Sequence, residues 1–172
     1  MTDTRWDRAA AEHRAALRHF SERAGSLDPA LWTEPRAEGK WSPAQIAEHL
    51  VLGYEALLRE LAGEGAMRMP LPLWRSTLLR WVLLPHILYH RTLPLRARSP
   101  REMRPSDSPA DRGEALRRLA EVTERFERAL ETAYRAGGGG ITHPYFGRVR
   151  PVRGLRFLAV HVEHHTRQLP GG

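Results

Sequence analysis

Two histidines four positions apart, His161 and His165, stand in the last helical stretch of a 172-residue chain. On a helix that spacing projects both imidazoles from successive turns of one face. Neutral imidazole ligates zinc, nickel, copper or iron, so the two rings can converge on one ion. Around them, Phe157, Leu158, Gln168 and Leu169 fall on the same side by the i, i+3, i+4 rule, which makes an inward-facing site possible. A lone pair at this spacing is a weak signal and needs a third ligand from elsewhere. The chain has no cysteine. Disulfides and thiolate ligands are therefore excluded, and a transition metal would rest on histidine, carboxylate or water.

His49 is the candidate third ligand. It shares the inner face of a helix with Ile46, Leu50, Gly53 and Leu57, with no obvious local charge partner. Taken alone it reads as a hydrogen-bonded core histidine; taken with His161 and His165 it completes a set. His13 lies on another apolar stripe, and there the core reading is preferred. His86 and His90 also stand four apart, but Pro85 and irregular surroundings make them a poor ligand pair.

The elements that must position these groups follow from periodicity. Helices are expected near 4–24, 42–62, 111–135 and 154–169, with a crossover helix within 72–90. Trp6, Ala9, Ala10, His13, Leu17 and Phe20 form the stripe of the first. The second begins on Ser42-Pro43-Ala44-Gln45, a capping box with proline at the first helical position. Trp41, just before it, can staple to Ile46 or lie across the bundle end. Between Gly63 and Pro109 the chain is apolar and then proline-rich. Leu71, Leu73, Trp74, Leu78, Leu79, Trp81 and Val82 read as a helix closing one side of the bundle, in preference to a lid or a membrane-surface helix. Pro94, Pro100, Pro105 and Pro109 mark an extended connection. The glycines at 137–140 end the 111–135 helix, and His143-Pro144-Tyr145-Phe146-Gly147 reads as a tight turn into the last one. No alternating strand pattern is convincing, so the fold class is all-α, and residues 1–172 are read as a single domain.

Composition narrows the function classes. Hydrophobic residues at 41% and charged residues at 27% suit a globular protein, and no run approaches the length of a membrane span. The N-terminus lacks a signal-peptide pattern, so a cytoplasmic location is expected. The net charge is +7, yet Lys40 is the only lysine, and arginines alternate with acids, as in Arg117, Arg118, Glu121, Glu124, Arg125, Glu127 and Arg128. That is the pattern of a solvated helix face and argues against a nucleic-acid partner. The apolar crossover offers more hydrophobic surface than one small bundle needs, from which a homodimer is expected. No Ser/His/Asp constellation and no phosphate loop is present.

Three motifs in order, Trp41-Ser42-Pro43 to His49-Leu50, His143-Pro-Tyr-Phe-Gly147, and His161-x-x-His164-His165-x-x-Gln168-Leu169, resemble the DinB-like superfamily over nearly the whole chain. The resemblance implies a four-helix bundle with a long crossover between its second and third helices. It implies a divalent metal held by His49, His161 and His165. Zinc or nickel fits imidazole ligands best, and three neutral ligands leave positions open, as in a catalytic site. Some relatives resemble thiol S-transferases that use a low-molecular-weight bacterial thiol such as bacillithiol or mycothiol, which would supply the nucleophile this cysteine-free chain lacks. Small-molecule thiol transfer to an electrophile is thus one expectation. A non-catalytic metal-binding or stress-related bundle is the second, and a bundle whose histidines are merely core residues the third. Glu48, Tyr54 and Arg167 are candidate substrate or supporting groups, and His164 points elsewhere on its helix, as a supporting or surface residue.

Overall fold

The computed structural model describes residues 3–65, 72–94 and 101–171. Five α-helices and one short hairpin make up the described chain: α1 (Thr4–Gly25), α2 (Pro43–Leu61), α3 (Leu73–His90), α4 (Arg112–Arg135), β1 (Ile141–His143), β2 (Gly147–Val149) and α5 (Pro151–Thr166). Single 3-10 turns occupy Pro29–Leu31 and Arg101–Met103. The all-helical class read from periodicity holds. Leu71 and Pro100, counted in the crossover, lie outside the described residues.

Helices α1, α2 and α4 start where a side chain satisfies their orphan amides. Asp3 accepts from the Arg5 and Trp6 amides at the head of α1, and Asp111 from the Glu114 amide at the head of α4. At α2 the Ser42 hydroxyl accepts from the Gln45 amide at 3.3 Å while the Gln45 side chain accepts from the Ser42 amide at 3.1 Å. Such a cap contributes about 1 kcal/mol. Here it also fixes the register that turns His49 inward.

Packing pairs α1 with α5 and α2 with α4, with α1 and α5 also touching α4. The buried core joins Phe20, Ile46, Leu50, Phe126, Leu130, Leu155 and Val160 from these four helices. The segment 154–169 begins three residues earlier than its periodicity suggested, at Pro151, and its helix ends at Thr166. Gly154 falls in the first turn of α5, where a Cβ would meet the Ile141 side chain at 3.0 Å. A glycine there lets the hairpin lie directly on the helix.

The tight turn expected at His143–Gly147 is the loop of an antiparallel hairpin, registered Ile141↔Val149, Thr142↔Arg148 and His143↔Gly147. Three-residue strands are too short to show alternation in sequence, which is why none was expected. Glu60 near the end of α2 accepts from the Thr142 amide at 3.0 Å and from its hydroxyl, anchoring the hairpin to the helix that carries His49.

Helix α3 runs through Pro85 without ending, and Arg91 caps it in the left-handed conformation at φ 52°. It packs on α5 and β2. Leu84, Ile87 and Leu88 are buried while Trp74, Leu78, Trp81, Val82 and Tyr89 are exposed. It therefore closes one side of the core and leaves its other face apolar and open. No helix among the described residues is long and apolar enough to cross a membrane.

Candidate metal centre

His49, on the second turn of α2, and His161 and His165, on successive turns of α5, meet at one point. One ring nitrogen from each lies within 4.8 Å of the other two. The His161 and His165 Nε2 atoms are 3.0 Å apart. Ring centroids of His49 stand 5.6 Å from His161 and 5.0 Å from His165. No other group of three or more His, Asp or Glu residues among the described ones has this proximity.

The outer nitrogens decide which lone pairs face inward. The Met103 carbonyl oxygen, which only accepts, lies 2.7 Å from His49 Nδ1, so that nitrogen carries the proton and Nε2 the lone pair. His165 Nδ1 donates to Gln168 Oε1 at 2.8 Å, which likewise leaves the lone pair on its Nε2. Orientation of the second nitrogen by a carbonyl is the usual support of an imidazole that ligates metal. Gln168 in turn donates its amide to His164 Nε2 at 2.9 Å, so His164 braces the glutamine and does not enter the cluster.

Burial keeps these rings neutral. Desolvation lowers His161 well below its ordinary value, with the charges of His165 and His49 acting in the same direction. It takes His165 to about 3, aided by His49 and opposed by the Gln168 bond. His49 is lowered by the same cause, partly offset by its bond to Met103. Three deprotonated imidazoles with convergent nitrogens and no carboxylate among them suit one divalent cation of the borderline class, such as zinc or nickel. The residues present thus fit the group that the motifs imply.

Aromatic rings wall the cluster. Trp41 lies 4.8 Å from His49 and 6.4 Å from His165, so it covers the histidines instead of stapling to Ile46 alone. Phe157 stacks parallel to His161 at 6.2 Å, and His143 contacts Phe157 at 4.7 Å and Phe146 at 4.5 Å. His143 Nδ1 accepts from the Tyr145 amide at 3.2 Å, a turn-forming role. Its own value is pushed down to about 4 by burial.

The remaining candidates fall elsewhere. Glu48 accepts from the Ser106 amide at 2.9 Å and hydroxyl at 3.0 Å, so it holds down the segment that delivers the Met103 carbonyl. Tyr54 is buried against His13, 2.7 Å from its Nε2, inside the core. Arg167 donates to the Arg91 carbonyl at 3.2 Å and ties α5 to the end of α3. None of the three faces the cluster as a substrate group. His86 and His90 do share a helical face, with centroids 4.3 Å apart, because α3 continues through Pro85; both are exposed. No third ligand joins them among the described residues. Sequence reasoning missed the Met103 carbonyl, since backbone acceptors carry no residue signal. It named Gln168 only as a face residue, although its i+3 spacing from His165 predicts their contact.

No curated protein and no solved structure matches the chain. A family model described as the DinB superfamily matches residues 12–169, which takes in all three histidines of the cluster. The chain belongs to the DinB superfamily.

Proposed function

We propose that His49, His161 and His165 bind one divalent transition metal, zinc or nickel, and that the protein uses it to transfer a low-molecular-weight thiol to a small electrophile. The observation that carries this reading is the convergence of three imidazole nitrogens within 4.8 Å, two of the rings oriented by outer carbonyl acceptors. The fold belongs to the same reading: α1, α2, α4 and α5 serve as a four-helix bundle and α3 as its crossover, in a single domain.

A cation held there supplies Lewis acidity, which lowers the pKa of a thiol or water bound beside it. Three neutral ligands leave its charge uncompensated and so favour an anionic partner, which a thiolate provides. The chain's own residues do the rest. Met103 and Gln168 hold the tautomers, Trp41 and Phe157 exclude water from the ring faces, and the burial of all three rings keeps protons off the ligand nitrogens. Since the chain has no cysteine, the nucleophilic sulfur must come with the substrate. The exposed face of α3 supports a homodimer within this reading, and light scattering that gives a monomer at high micromolar concentration removes that part alone.

The test is thiol consumption by metal-loaded, untagged protein, screened over several low-molecular-weight thiols and an alkylating electrophile. Turnover that is lost with chelator and restored by zinc or nickel is expected. A loaded protein that consumes none of the thiols reduces the function to metal binding without turnover.

A further inference from the structure

A second feature of the molecule lies apart from the histidines, at the other end of α5. The first turn of that helix is about 12 Å from His161 at the helical rise. There a cavity of ≈ 730 Å³ opens between the start of α1, α3, the end of α4, β2 and α5. Five arginines line it, Arg5, Arg80, Arg148, Arg150 and Arg153, and no acidic side chain does.

Several arginines elsewhere sit beside glutamates, as in Arg117–Glu121, Arg128–Glu124, Arg135–Glu131 and Arg118–Glu55. Asp3, whose charge is felt by Arg5, is engaged by the Tyr134 hydroxyl and the amides of Arg5 and Trp6. The residues outside the described ones include no aspartate or glutamate, so they offer no hidden acidic side chain. Two of the arginines are fixed by carbonyl acceptors: Arg80 donates to Arg148 O at 2.8 Å, and Arg148 to Gly139 O at 3.2 Å. The guanidinium groups of Arg5, Arg150 and Arg153 have no hydrogen-bond or ion-pair partner among the described residues. Gathering five like charges around one cavity is unfavourable unless an anion occupies it.

Two further properties define the occupant. The N-cap of α5, Arg150, makes no side-chain cap, so the first amides of that helix, whose residues Val152 and Arg153 line the cavity, have no intrahelical or capping acceptor. Apolar side chains line it as well: Trp81, Leu84, Val149 and Val152. Guanidinium forks match phosphate oxygens in pairs, and this density of positive charge suits a dianion better than a single carboxylate.

We propose that this cavity binds a phosphate ester with an apolar body, the phosphate among Arg5, Arg150 and Arg153 and the apolar part against Trp81, Leu84 and Val152. The site is independent of the histidine cluster and needs no metal. The ester is a soluble molecule or the headgroup of an anionic lipid, and the experiment separates them.

Isothermal titration of the untagged full chain, without added metal, uses phenyl phosphate as probe, inorganic phosphate as the charge-only control and vesicles containing phosphatidic acid, a lipid phosphate monoester, as the lipid arm. Phenyl phosphate is expected to bind saturably and at least about tenfold tighter than inorganic phosphate, because the ring buries apolar area. R5Q/R153Q is expected to weaken it by at least about tenfold through loss of two charge-assisted contacts. R8Q/R125Q removes the same charge from exposed sites outside the cavity and is expected to change nothing. Should R5Q/R153Q fail to fold, W81A replaces it, since Trp81 is 67% exposed; it should weaken phenyl phosphate and spare inorganic phosphate. Vesicle binding that phenyl phosphate competes away identifies the headgroup as the source, and soluble binding without vesicle binding identifies a free ester. Equal affinity for phosphate and its phenyl ester, equal weakening by R8Q/R125Q, vesicle binding without ester binding, or no saturable binding each overturns the proposal.

Discussion

The core holds imidazole in two places, and what surrounds the rings differs completely. His13 is fully buried, with Nδ1 3.4 Å from a Glu127 carboxylate oxygen and Nε2 2.7 Å from the Tyr54 hydroxyl. Arg14 closes the set on Glu127. Burial pushes that carboxyl up, but the bonds from His13 and Arg14 outweigh it and hold the group below its ordinary value. Each polar group there is answered by one of opposite character. In the other cluster His49, His161 and His165 turn nitrogens towards one another, the Nε2 atoms of His161 and His165 standing 3.0 Å apart, and carbonyl oxygens hold the outer nitrogens of His49 and His165. A histidine whose two nitrogens meet a carboxylate and a hydroxyl is a structural part. Histidines that share a centre need something in it.

The comparison can be broken most sharply at the centre. Replacing His161 with Ala should cost metal affinity beyond the ~10–100-fold typical of losing an outer partner, because a ligand is removed. The same change at His164 should leave metal binding near wild type, since its ring stands beside His165 and Gln168 without joining the three convergent nitrogens. Equilibrium dialysis of both variants distinguishes them, and equal affinities would collapse the distinction between ligand and brace.

One step outward, Gln168→Ala should lower metal affinity by about 10–100-fold with little change in Tm, because it frees the His165 ring without emptying the core. Competition against a chromophoric chelator measures this. The reverse split is expected in the His13 set. Tyr54→Phe leaves a buried ring nitrogen without its partner and should cost about 1–3 kcal/mol of stability, read by urea denaturation, with metal affinity unchanged. A metal effect there would join the two clusters.

The clusters also separate by pH. Burial takes His165 to about 3 and His143 to about 4 from an ordinary 6.5, so the unfolded chain protonates first as pH falls. Their contribution is fully present above about 6.5 and is lost progressively below it. Glu127, held below its ordinary 4.5, adds a loss that begins only under that value. Tm of the metal-free protein across this range should therefore fall in two stages. A flat profile down to pH 5 contradicts the first.

Much of this was legible before any coordinates. The capping box at Ser42–Gln45 and the stripes of the long helices are local rules, and the structure follows them closely. The pairing of His161 with His165 is equally local, a matter of one helical turn. What brings His49 beside them is the packing of whole helices, which no spacing encodes; only the family resemblance anticipated it. The hairpin at 141–149 escaped because its strands are three residues each. Glu48 and Tyr54 stayed open between substrate and supporting groups in the sequence, because a helical wheel gives a direction and not a partner. Their partners, Ser106 and His13, lie 58 and 41 positions away.

The central claim is that the three histidines are a metal centre and not a packed core. The direct measurement is elemental analysis by mass spectrometry of untagged wild-type protein, after chelation and again after supply of zinc or nickel. The account predicts about one equivalent per chain, removed by chelator and restored on supply, as expected for a three-imidazole site. Protein that retains no metal after supply, at neutral pH where the ligands are deprotonated, would contradict it.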